Sequence, residues 1–137
     1  MDTAERILRS FSTLAVVGAS RDPNKSAQSV PAALQASGFR VVPVNPFADG
    51  ELFGERVYAT LEDIPFPVEV VVLFRPSEEV TPFARSAVAI GARALWLQQG
   101  IVSSEARRIA EAAGLLYVED RCFAVERALH RVVKKRA

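Results

Sequence analysis

Four short runs of aliphatic and β-branched residues limit what this chain can fold into: Leu14-Ala15-Val16-Val17, Arg40-Val41-Val42-Pro43-Val44, Val68-Glu69-Val70-Val71-Val72-Leu73-Phe74 and Ala94-Leu95-Trp96-Leu97. They are nearly continuous rather than alternating, the pattern of strands covered on both faces in a parallel sheet. A fifth run, Leu115-Leu116-Tyr117-Val118, reads as an edge or near-edge strand. Between the runs, apolar residues recur at helical spacing: Val30, Ala33 and Leu34; Phe83, Ala84, Ala87 and Val88; Ala106, Ile109, Ala110 and Ala113. These three segments stop before Gly38, Gly91 and Gly114, which suit the left-handed position that ends a helix.

Thr81 followed by Pro82, and Ser103 or Ser104 before Glu105, read as helix starts. Pro31 lacks an N–H that a helix interior uses, so the helix after the first strand is expected to begin near Val30, leaving residues 18–29 as a loop. Alternating strands and helices with right-handed crossovers predict a Rossmann-like α/β fold. The expected form is a doubly wound three-layer sandwich on a mainly parallel five- or six-stranded sheet. At 137 residues the chain is expected to be one domain, with a core over about 7–126 and a basic C-terminal helix over about 123–135.

Seventeen basic and sixteen acidic residues leave a formal charge of +1, which supplies no global attraction to nucleic acid or to an anionic membrane. Neither is expected as a partner. The local cluster Arg127, His130, Arg131, Lys134, Lys135 and Arg136 reads as a solvated helix end whose cations complement the helix dipole. A single cysteine, Cys122, cannot form an intrachain disulfide, and no secretory pattern opens the sequence. The longest strongly apolar stretch, Val68 to Phe74, is far short of the roughly 20 residues of a membrane span. A cytoplasmic protein is expected.

In a doubly wound sheet, ligands sit beyond the carboxyl ends of the strands, so function is read from the residues just after each strand. After the first strand comes Gly18-Ala19-Ser20-Arg21-Asp22-Pro23-Asn24-Lys25-Ser26. Gly18 permits a tight turn, Ser20 and Ser26 offer hydroxyls, and Arg21 and Lys25 offer charge near helix N–H groups. A phosphate loop and an ordinary polar loop both remain open.

A dinucleotide fingerprint would place glycines at 18, 20 and 23, where the chain has Gly18, Ser20 and Pro23. The second strand ends in Asn45-Pro46, not in the acidic residue that usually accepts from a ribose. Both departures argue against NAD(H). The third buried strand ends in Phe74-Arg75-Pro76, with Arg75 either a phosphate or adenine contact or the partner of a carboxylate such as Glu78. Gln98-Gln99-Gly100 could bring backbone close to a thin amide chain, or be a plain turn.

No catalytic set emerges. Ser20 has no partner histidine, Glu119 and Asp120 point apart on an extended segment, and one cysteine with one histidine lacks metal-ligand spacing.

Gly18-Ala19-Ser20, Asp22-Pro23, Val42-Pro43-Val44-Asn45-Pro46, Gly54, Tyr58, Leu61, Ile64-Pro65, Phe74-Arg75, Trp96-Leu97-Gln98 with Gly100, and Asp120-Arg121-Cys122 appear in an order and spacing that resemble the small bacterial and archaeal CoA-binding domain family. The resemblance runs from about Ile7 to Glu126. More distantly it extends to the CoA-binding domain of the succinyl-CoA synthetase α subunit.

The resemblance implies coenzyme A, or an acyl-CoA, lying across the carboxyl edge of the sheet. Gly18, Ala19, Ser20, Arg21, Lys25 and Ser26 would meet its phosphates, and Asn45 and Pro46 its nucleotide part. Phe74, Arg75 and Pro76 would flank the adenosine or pyrophosphate, and Gln98 and Gly100 would face the pantetheine. Those synthetases use a phosphorylated histidine in a second domain. Here the only histidine, His130, lies in the basic C-terminal segment, so a binding module with no catalytic group is expected. A protein partner or a homo-oligomer stays open. Because the implied ligand is a thiol, Cys122 reads either as a small core residue or as a thiol, next to Arg121, that can exchange with the ligand.

Overall fold

The computed structural model describes residues 1–135. Five parallel strands form the central sheet: β1 (Thr13–Val17), β2 (Arg40–Val44), β5 (Val70–Leu73), β6 (Ala94–Leu97) and β7 (Leu116–Val118), in the order β2-β1-β5-β6-β7. The expected Rossmann-like sandwich is therefore present, with β7 at an edge. The strand order reverses at β1, so the connections leaving β1 and β5 diverge there.

Successive residues of each strand point to opposite helical layers. Val17, Leu73 and Leu97 pack with α3 (Thr81–Ala89) and α4 (Ser104–Ala112). Val16, Val72 and Trp96 pack with α1 (Thr3–Ser10), α2 (Ser26–Ala36) and α5 (Phe123–Leu129). Every residue of β5 and β6 is buried, which explains why their sequences do not alternate.

A helix before β1 has no counterpart among the elements expected from sequence. Asp2 nonetheless caps α1 by accepting the Glu5 N–H at 2.8 Å, and Ala4, Ile7 and Leu8 supply its buried face. Also unforeseen is the hairpin of β3 (Glu51–Leu52) and β4 (Glu55–Arg56). Its turn uses Phe53 and Gly54, both at positive φ, as a two-residue hairpin requires.

The helix after β1 begins at Ser26, four residues before the expected start, with Pro31 inside it. The proline frees the Ala27 carbonyl, and the Ser20 N–H takes it at 3.1 Å. The missing helical bond thus becomes a tie between α2 and the loop leaving β1.

The expected basic helix to about 135 is also corrected: α5 ends at Leu129. Arg131 adopts φ 54, Val132 donates to Arg127 O at 3.1 Å, and Arg131 to Ala128 O at 3.2 Å. This is a Schellman stop made without glycine. Val132 is buried, Lys134 N donates to Ser37 O at 2.8 Å, and its Nζ donates to Arg9 O at 3.0 Å. Burial, the first cause, pushes the Lys134 ammonium below its usual range. Arg136 of the basic cluster lies outside the described residues.

Gly38 allows this docking. Its φ is +97°, and a Cβ there would lie 1.9 Å from the Lys134 carbonyl oxygen. Gly38→Ala is expected to release residues 132–135 while the sheet stays folded, so trypsin should cleave after Lys134 or Lys135 much faster than in the parent. Cleavage at the parent rate would show that the segment is not held by this contact. Among the described residues no helix is long and apolar enough to cross a membrane.

Candidate functional site

The turns leaving β1, β2 and β5 open onto a cavity of about 590 Å³ where the strand order reverses. Its floor includes Val17, Gly18 and Phe74, and its sides come from Lys25 and Ala27 at the start of α2 and from Pro82 and Phe83 at the start of α3. Helices from both faces of the sheet thus frame one opening. Gly18, at φ +87°, passes against the next strand end: a Cβ there would lie 3.0 Å from Phe74 O and 3.2 Å from Arg75 Cδ. Its glycine keeps Arg75 at the rim.

Lys25 precedes α2 at its N-cap position, exposed and with no side-chain hydrogen bond or ion pair among the described residues, so its ammonium remains available at the opening. Gln28 and Ser29 N–H groups both turn to the Lys25 carbonyl, at 3.0 and 3.1 Å. The earlier Ser26 and Ala27 N–H groups then belong to the open donors of the helix start, where an anion is favoured. Arg75 bonds Glu79 Oε2 at 2.8 Å, four residues on, rather than the Glu78 named from sequence. Glu78 and Glu79 both line the cavity, so two cations and two carboxylates share it before any ligand arrives.

A second hollow of about 430 Å³ adjoins the first and shares Phe74 and Arg75 with it. It runs past Ser26, Pro76 and Gln98 to Cys122, with Val30 and Ile101 as apolar wall. The two lie side by side along the carboxyl edge, as a trough in which Phe74 and Arg75 line both halves.

Of the expected contacts, Gly18, Ser20, Lys25, Asn45, Pro46, Phe74 and Arg75 line the first cavity, and Ser26, Pro76, Gln98 and Cys122 line the second. Three others are placed elsewhere. Arg21 donates to the carbonyls of Glu51 and Asp49, tying the β3–β4 hairpin to the loop. Ala19 is fully buried, and its carbonyl accepts from Asn45 Nδ2 at 2.9 Å. Gly100, at φ +87°, donates its N–H to Asp120 Oδ1 at 2.7 Å and lines neither hollow.

Asn45 has a positional duty of its own, because its Oδ1 also accepts from Phe47 N at 2.8 Å. That bond presents Phe47, 97% exposed, at the rim of the first cavity. Phe47 is absent from the contacts expected from sequence, although an aromatic directly after a strand-end Asn-Pro turn is a usable signal. Glu79, Phe83, Val30 and Ile101 are absent from them because they lie further along the segments that follow the strand ends, where position alone does not say which side chain turns back to the trough.

Away from the trough, His130 caps α5 and stands between Glu5 (3.6 Å) and Glu126 (3.9 Å). Asp2, Glu126 and His130 bring ligand-type atoms within 4.8 Å of one another, a grouping invisible to spacing because Asp2 is 124 residues from Glu126. The Arg121 guanidinium sits among them, 3.5 Å from Asp2 and 3.3 Å from Glu126. The Asp2 carboxyl is held below its usual range, first by the Glu5 N–H and also by Arg121. The cation that the sequence put next to Cys122 is therefore committed to carboxylates.

A parallel sheet with hollows at its strand-switch point defines a Rossmann-like α/β domain. The chain belongs to the CoA binding domain family, which matches residues 12–128. It is similar to the uncharacterized protein YneT of Bacillus subtilis (strain 168), 33% identical over 91% of this chain and 92% of that one. Among solved structures, cell-free ID.343 from Thermus thermophilus is 38% identical over 95% of this chain and 99% of that chain, with a TM-score of 0.89. A dinucleotide forming acetyl-coenzyme A synthetase from Ca. Korarchaeum cryptofilum is 30% identical, with a TM-score of 0.69, over 80% of this chain and 26% of that one.

Proposed function

We propose that this protein holds coenzyme A or an acyl-CoA along the carboxyl edge of its sheet, as a carrier, sensor or regulatory module with no catalytic group of its own. The supporting observation is that two adjoining hollows along this edge share Phe74 and Arg75 in their walls. A nucleotide with a long, thin arm fits such a trough better than a compact ligand does. In this reading the phosphates meet Lys25, Arg75 and the start of α2, and the adenosine end lies by Asn45, Pro46 and Phe47. The pantetheine arm crosses Phe74 toward Gln98. Arg75 leaves Glu79 to meet phosphate, at small cost, because an exposed ion pair of this kind contributes about 0–1 kcal/mol.

Native mass spectrometry of protein purified without added cofactor should reveal bound coenzyme A, and calorimetry should give a saturable heat. The absence of heat at high micromolar coenzyme A would overturn the reading.

A second reading makes the chain one half of an acyl-CoA ligase completed by a partner. The likeness to about a quarter of a synthetase chain favours it. It requires the partner to bring the phosphorylated histidine, since His130 lines neither hollow. Co-purification of a second chain with coenzyme A would select it.

A further inference from the structure

We infer that the far end of the trough is a thiol-exchange site, in which Gln98 orients a pantetheine-type arm and Cys122 forms a mixed disulfide with it. The inference rests on the coenzyme A reading and specifies the chemistry of its distal end.

Gln98 is 5% exposed and is the one buried polar or charged side chain among the described residues. Its Oε1 accepts from Phe123 N at 2.8 Å. A backbone N–H can only donate, so this bond fixes which way the carboxamide faces and leaves Nε2 as a pure donor. Nε2 has no acceptor among the described residues, and none of their fully enclosed side-chain nitrogens or oxygens lacks a partner. Nε2 therefore opens onto the hollow that Gln98 lines. A buried amide donor in a hollow whose wall includes Val30, Phe74 and Ile101 beside Ser26, Arg75 and Gln99 calls for an acceptor carried by a slender ligand.

Cys122 lines the same hollow and is partly exposed. An amide carbonyl a few bonds from a sulfur is the chemistry that would satisfy Gln98 and reach Cys122 together. A pantetheine arm has it.

The reaction needs no outside oxidant when the ligand arrives as its own disulfide. The Cys122 thiolate attacks one sulfur of the ligand disulfide, the protein-to-ligand S–S bond forms and the original S–S bond breaks. The departing thiolate takes up a proton equivalent to the one Cys122 released. One thiol is oxidised and one half of the disulfide is reduced.

The test is intact-mass kinetics of the reduced protein with coenzyme A disulfide, with glutathione disulfide and cystamine as controls. The expected result is a single adduct on Cys122, absent in Cys122→Ser. Its rate should saturate with coenzyme A disulfide and exceed that with glutathione disulfide at least about tenfold, the equivalent of about 1.4 kcal/mol of recognition. Gln98→Glu keeps an acceptor for Phe123 N but removes the donor. Because the new carboxylate also acts on charged disulfides and on the Cys122 thiol, the readout is the ratio of the rate with pantethine to that with 2-hydroxyethyl disulfide, both uncharged and only the first with the amide carbonyl; the ratio should fall.

Equal, unsaturating rates for all three disulfides in the parent would overturn the inference, as would a Gln98→Glu variant that retains the full ratio of pantethine to 2-hydroxyethyl disulfide rates. Calorimetry of Cys122→Ser with reduced coenzyme A separates the two failures. Heat retained alongside unselective exchange sinks the thiol site alone, whereas no heat and no preference sink the coenzyme A reading with it.

Discussion

Replacing Lys25 and Arg75 together with alanine is expected to weaken coenzyme A binding by about 2–6 kcal/mol, the sum of two charge-assisted phosphate contacts at about 1–3 kcal/mol each. Each single substitution should account for roughly half. Both side chains stand at the mouth of the same cavity, so a shared phosphate would make the double effect smaller than the sum. Neither holds the fold together. Lys25 is exposed and makes no cap bond, and Arg75 has only its pair with Glu79, with side chains 43% and 46% exposed. Calorimetry with the two single variants and the double variant measures the effect, and urea unfolding should show little change in stability. A double variant that binds as the parent does would place the phosphates elsewhere.

Trp96→Ala should be the most damaging single change to stability. Trp96 is fully buried on β6, between β5 and β7, its ring centroid is 4.4 Å from that of Phe123, and its Nε1 donates to Arg121 O at 2.8 Å. Truncating a buried tryptophan costs about 3–5 kcal/mol, against a total of about 5–15 for a typical domain. The hydrogen bond adds a local consequence. Trp96 secures the turn that carries Cys122 to the end of the trough, so the alanine variant should also lose selective thiol exchange. Trp96→Phe retains most of the packing and orphans only the Arg121 carbonyl, at about 1–3 kcal/mol. Urea unfolding of both variants provides the comparison. A loss below about 1 kcal/mol for Trp96→Ala would mean that the core closes over the gap.

Much of the fold was legible because its signals are local. The buried strands show as unbroken aliphatic runs, and Gly38, Gly91 and Gly114 adopt the positive φ expected of helix ends. Ser103 accepts from Ala106 N at 3.0 Å, as its position before Glu105 suggested. Two of the errors share one cause, which is that a distant partner overrode a local rule. Pro31 sits inside α2 because Ser20, eleven residues earlier, uses the carbonyl that the proline frees. The final helix stops without glycine because Val132 is buried and the chain beyond it docks on Ser37 and Arg9.

The trough divides along the same line. The residues that immediately succeed the strands, Gly18, Asn45, Phe74 and Gln98, were readable from the amino-acid order, because a parallel sheet must present its carboxyl ends along one edge. Their individual roles there were not. Arg21 faces the β3–β4 hairpin instead of the cavity, Asn45 spends both polar atoms on neighbouring backbone, and Gln98 is fixed by an N–H 25 residues away.

By itself, then, the sequence determined the layered sheet, the carboxyl edge along which the hollows lie and the loops that reach it, since these are set by periodicity and chain direction. Only the tertiary structure decided which cations remain available and that two hollows share Phe74 and Arg75. It also decided that one amide donor and one thiol share the far end. Those depend on hydrogen bonds and packing between residues far apart in the chain, which no local pattern encodes.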